Sequence, residues 1–92
     1  MIKINEYFDG KVKSMAINTN DGRATVGVML PGQYEFGTST EEKMEVIEGE
    51  MHISIPGQEK KTYSKGQFFI VPANVKFGVE IKRDTSYICY YK

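Results

Sequence analysis

The chain is poor in the residues that most often carry chemistry. Its 92 residues include one cysteine, one histidine and two arginines, Arg23 and Arg83. Cys89 alone cannot close an intramolecular disulfide, and a small secreted domain usually relies on several bridges, so the cytoplasm is the expected compartment. Long apolar stretches are also missing. The longest uninterrupted run, Phe68 to Pro72, is too short to cross a bilayer, and "MIKINEYFDGKVKS" has no segment of signal-peptide length. Twelve basic and twelve acidic residues cancel, and neither sign gathers into a run. Nucleic acid and charged membrane surfaces are therefore not expected partners. The length allows one compact domain over residues 1–92 and no second catalytic domain.

Helical periodicity is nearly absent, and alternation with period two takes its place. In "RATVGVML" Ala24, Val26, Val28 and Leu30 share one face. In "VKFGVEIK" Val75, Phe77, Val79 and Ile81 alternate with polar residues and glycine. Met51, Ile53 and Ile55 alternate with His52 and Ser54, and Tyr87, Cys89 and Tyr91 share a face near the C-terminus. "NTNDGR", "LPGQ", "IPGQEKK" and "SKGQ" supply residues that tolerate or preset turn dihedrals. Short strands at close spacing predict an all-β, closed or nearly closed antiparallel barrel.

The stretch "YEFGTSTEEKMEVIEGEM" resembles the first motif of the cupins, double-stranded antiparallel β-barrels of jelly-roll type. Glu42 followed by Gly49 matches the E-x6-G part of that motif, while Phe36 and Thr38 stand where metal-binding histidines would be. In the second motif Gly66 and Pro72 keep their frame, Asn74 replaces a glycine, and Phe77 occupies the remaining histidine position. Phe offers no donor atom, and Thr with a lone Glu makes a poor ligand set, so no metal is expected. His52 lies opposite Met51, Ile53 and Ile55, which places it on the outer face rather than at a site. Cys89 shares a face with two tyrosines and reads as a small buried hydrophobe. What remains at the motif positions is an aromatic pocket of Tyr34, Phe36 and Phe77, with the Thr38 hydroxyl and the Glu42 carboxyl, suited to a planar ligand.

Over nearly its whole length the chain also resembles the one-domain pyrimidine/purine nucleoside phosphorylases. The segments that carry the likeness are "NEYFDGKVKS", "GRATVGVMLPGQYEFGTS", "MEVIEGEM", "VPANVKFGV" and "TSYICYY". The resemblance implies a metal-independent, cofactor-free enzyme that splits diverse purine and pyrimidine nucleosides with inorganic phosphate, giving free base and ribose 1-phosphate. Such chemistry asks for an anion fork, a carboxylate beside a cationic sugar, and a flat surface for the base. Arg23 is the candidate phosphate ligand, although Asp21 or Glu35 could instead pair with it; Arg83 falls in a polar turn. Thr38 and Ser39 offer further hydroxyls for phosphate, and Tyr34, Phe36 and Phe77 offer stacking that does not discriminate between bases. Glu42 is the candidate catalytic residue, as charge stabiliser or proton donor. A non-catalytic cupin that binds a sugar or nucleoside is the alternative reading of the same pocket. The aromatic segment "SYICYYK" offers an edge or patch for a homodimer.

Overall fold

The computed structural model describes residues 1–92. Ten strands follow one another: β1 (Ile4–Tyr7), β2 (Val12–Thr19), β3 (Gly22–Met29), β4 (Gly32–Gly37), β5 (Glu42–Glu48), β6 (Glu50–Ser54), β7 (Lys61–Ser64), β8 (Phe68–Val71), β9 (Lys76–Ile81) and β10 (Thr85–Tyr91). The only helical element is a single 3-10 turn at Phe8–Gly10. All the strand pairs are antiparallel. They form a six-stranded sheet in the order β1-β2-β3-β10-β5-β8 and a four-stranded sheet in the order β4-β9-β6-β7. The expected all-β cupin architecture is therefore present, as a sandwich of two separate ladders rather than one continuously bonded barrel.

From β3 onward the chain crosses between the sheets repeatedly, and residues at the crossings have special backbone conformations. Gly49, between β5 and β6, has φ +91°, and Gly66, between β7 and β8, has φ +85°. Asn74, which replaces the second-motif glycine, has φ +60°. Asn is among the few side-chain-bearing residues that adopt this left-handed region readily, so the substitution keeps the turn.

Between the sheets lies a core that includes Val46, Met51, Ile53, Phe69, Val71, Val79 and Ile81. Met51, Ile53, Phe77, Val79 and Ile81 face inward, as their alternation indicates. In β3 the apolar alternation marks the other face. Thr25, Gly27 and Met29 point between the sheets, whereas Ala24, Val26 and Val28 lie on the outer side, where Val28 is 50% exposed. Both faces of β3 carry small or apolar residues, so period two identifies a strand without saying which side is covered.

Candidate functional site

At one end of the sandwich the core gives way to a cavity of about 520 Å³. The six-stranded sheet supplies one wall from Ser14 on β2, Met29 on β3, Glu42 and Met44 on β5, and Tyr87, Cys89 and Tyr91 on β10. Strand register places these groups together, since Tyr91 pairs with Glu42 and Cys89 with Met44 across β10 and β5. Phe36 on β4 and Phe77 on β9, themselves cross-strand partners, form the opposite wall. Tyr7, Phe8, Glu35 and Gly37 complete the lining. The cavity is thus aromatic on one side and polar on the other.

Interlocking rings build the aromatic wall. Phe36 lies 6.0 Å from Phe77 and meets Phe8 edge-on at 5.5 Å, while Phe8 stacks at a tilt on Tyr34 at 4.9 Å. Phe8 has φ +52°, a conformation disfavoured for a bulky side chain. The following Asp9 and Gly10 also have positive φ, so this short turn holds an aromatic ring at the cavity in a backbone shape that it would not choose alone.

Closely fitted hydrogen bonds build the polar wall. The Cys89 thiol donates to Oε1 of Glu42 at 3.4 Å, and the Tyr91 and Thr25 hydroxyls lie 3.1 Å apart. Tyr87 sits opposite Gly27, where an added Cβ would stand 2.6 Å from the phenol oxygen. That glycine is needed for the ring to lie against β3. Burial pushes the Tyr87 phenol up to about 12, and burial also raises Tyr91 and Cys89. These three groups therefore remain neutral through the physiological range and act as hydrogen-bonding groups, not anions. Burial raises the Glu42 carboxyl too, and the bond from Cys89 acts in the opposite direction.

A second cavity, of about 560 Å³, adjoins the first through their shared walls, Tyr7 and Tyr91. Its charged lining residues, Lys3, Arg23 and Lys92, are all cationic; Asn5, Thr25, Ser39 and Thr40 add polar groups. Arg23 forms no ion pair with Asp21 or Glu35. Lys92 pairs with Glu41 at 3.2 Å.

The candidate residues are divided among these places. Glu42, Phe36 and Phe77 come together in the first cavity, and Arg23 with Ser39 in the second. Tyr34 lines neither. Its buried phenol donates to the Leu30 carbonyl at 2.6 Å, so it braces Phe8 and Phe36 from behind rather than meeting a ligand. Thr38 is also withdrawn: its hydroxyl donates to the Pro72 carbonyl at 2.7 Å and accepts from the Val75 amide at 3.1 Å, leaving it no proton for phosphate. His52 faces outward on the four-stranded sheet, its Nδ1 2.7 Å from the Thr62 hydroxyl. No group of three or more His, Cys, Asp or Glu side chains is arranged to hold a metal ion.

Sequence reading did not select Tyr7, Phe8, Ser14, Glu35, Tyr87, Cys89 or Tyr91 as site residues. For β10 a signal existed: tyrosines spaced by two around a cysteine put polar tips on an inward face. Their convergence with Glu42 depends on pairing between segments nearly fifty residues apart.

The family described as pyrimidine/purine nucleoside phosphorylase matches residues 2–91. Proteins of that name from Tolumonas auensis and Pseudomonas syringae pv. syringae are 52% and 50% identical to the chain, each over the full length of both. A crystal structure of a protein of unknown function from Vibrio parahaemolyticus superposes with a TM-score of 0.95 at 42% identity, covering 100% of this chain and 99% of that one. A crystal structure of an RmlC-like cupin from Shewanella frigidimarina shares the fold, with a TM-score of 0.76 at 24% identity over 96% of this chain and 80% of its own.

Proposed function

The chain belongs to the pyrimidine/purine nucleoside phosphorylase family, and on that premise we propose that it is a pentosyltransferase cleaving diverse purine and pyrimidine nucleosides with inorganic phosphate, without a metal or other cofactor. A phosphate oxygen bonds to the anomeric carbon as the carbon–nitrogen bond breaks; the bond's electron pair leaves with the base. The proton of hydrogenphosphate ends on the base, so the products are free base and ribose 1-phosphate.

The observation that carries this reading is the junction of a carboxyl-bearing aromatic cavity with a cavity whose charged lining is wholly cationic. The base lies against Phe36 and Phe77, whose contacts tolerate purines and pyrimidines alike because every base has a π face. Phosphate lies with Arg23 and Ser39, where a guanidinium gives paired, charge-assisted bonds. Ribose spans the Tyr7 and Tyr91 boundary, and Glu42 stabilises the positive charge that develops on the sugar. The enzyme is proposed to be cytoplasmic and a homodimer.

The test is incubation of EDTA-treated protein with purine and pyrimidine nucleosides, with and without inorganic phosphate, following base and ribose 1-phosphate by chromatography. Base release that requires phosphate is expected. Nucleoside binding without release, by folded protein, would make it a binding cupin instead.

A further inference from the structure

The surroundings of Glu42 decide whether it is charged. It is half-buried in a cavity with no Lys, Arg or His in its lining. Tyr87, Cys89 and Tyr91 from β10 and Tyr7 from the end of β1 share its cavity, and Glu35, an exposed residue of β4, lines the same cavity. Val71, the partner of Glu42 on β8, is apolar, and Ser14 and Thr25 on β2 and β3 are neutral. None of these supplies positive charge. Glu42 has one protein hydrogen bond, from the Cys89 thiol to Oε1, and none to Oε2. A buried carboxylate without donors is costly, so that bond bears directly on whether Glu42 is charged and where its free oxygen lies.

We propose that Cys89 is a positioning residue for phosphorolysis: its thiol holds Oε1 of Glu42, favours the carboxylate over the acid, and leaves Oε2 to face the sugar. The inference rests on the reading of Glu42 given above and assigns it the role of charge stabiliser rather than proton donor. The hydrogen bond runs from the thiol to the carboxyl oxygen. Cys89 is 2% exposed on the central run of β10, and burial first, then the charge of Glu42, keep its proton on sulfur. A hydroxyl there would make a shorter bond but place a more polar atom in the core, whereas a thiol remains compatible with its Met44 and Tyr87 neighbours.

Two substitutions separate positioning from packing. Cys89→Ala removes the donor and Cys89→Ser retains it, while both lose the sulfur atom's bulk. In wild type, kcat/KM should rise with pH through the Glu42 titration, because the carboxylate is the working form. Cys89→Ala should move that limb to higher pH, with a loss of roughly three- to tenfold below it, and Cys89→Ser should restore the wild-type position. Carbon-13 NMR titration of the Glu42 carboxyl provides the readout without catalysis, and its midpoint should move up in Cys89→Ala alone. An unchanged midpoint, or equal displacement in both variants, would overturn the proposal. If Cys89→Ala does not fold, the infrared S–H stretch of wild type must shift as Glu42 titrates; an unresponsive band would have the same consequence. Wild-type protein that releases no base would defeat the enzymatic reading while leaving the NMR result on the pair intact.

Discussion

Thr38 and Arg23 were candidates for the same phosphate and have opposite surroundings. The Thr38 hydroxyl is used twice, by the Pro72 carbonyl and the Val75 amide, where it ties the β4–β5 connection to the β8–β9 connection. Arg23 has no ionic partner and lines a cavity with two lysines. Thr38→Val should therefore cost about 1–2 kcal/mol of stability, because it removes two part-buried hydrogen bonds, yet leave KM for phosphate unchanged. Arg23→Ala should do the reverse, raising KM for phosphate roughly tenfold or more with stability within about 0.5 kcal/mol. Urea denaturation and initial-rate kinetics on the two variants check both halves. An equal rise in KM in both variants would return Thr38 to the phosphate site.

The strand crossings explain why some of the site was legible in the sequence. Gly49, Gly66 and Asn74 are punctuation points of the cupin spacing, and each has positive φ. Gly49 carries a second constraint: an added Cβ would collide with the Thr85 hydroxyl and stand 2.8 Å from the Asp84 carbonyl. Thr85 is 1% exposed, and its hydroxyl accepts from the Glu50 amide at 3.3 Å, which ties the start of β10 to the start of β6. Gly66 has open space around it. Gly49→Ala should accordingly cost about 2–4 kcal/mol, from backbone strain and overpacking together, and Gly66→Ala only about 1 kcal/mol. Chemical denaturation should show this as a larger fall in midpoint for Gly49→Ala at an unchanged slope. The same physics limits what a sequence discloses. Turn chemistry and alternation are local, so the strands, the glycine frame and the inward Phe77 could be read from short windows. Cys89 read as core and is core, but its contact with Glu42 arises from the β5–β10 register. The placement of Arg23 in a neighbouring cavity arises from how β3 meets the segment after β4. Neither relation has a period to detect.

At the scale of the whole molecule, the inverted parity of β3 leaves apolar residues on the outer side of the six-stranded sheet. Strand register aligns Ile4, Met15, Val26 and Ile88 in one row across four strands, and Ile17, Ala24 and Tyr90 in the next. Ile4 is 61% exposed, and Phe68 and Ile70 extend the apolar surface onto β8. Strand spacing makes this face roughly 24 Å wide, and along about 20 Å of strand its footprint is roughly 500 Å². Two copies would bury about 1,000 Å², the size at which specific interfaces begin. On β5, next to the edge strand β8, Lys43 lies 4.5 Å over the Phe68 ring, and Glu45 is the cross-strand partner of both Phe68 and Ile88. Neighbouring charges of both signs leave the face without a strong net sign, so a partner of strong single charge would find no match. The homodimer proposed above would pack through this face. Sedimentation velocity at micromolar concentration should give a dimer for the wild type and a folded monomer for Met15→Glu combined with Val28→Glu, because twofold packing would bury four added carboxylates. A wild-type monomer across that concentration range would leave the outer face uncovered and refute the inference. Both cavities lie on the opposite, inner side of the same sheet, so a monomeric variant that keeps its phosphorolysis would show that each chain carries a complete site.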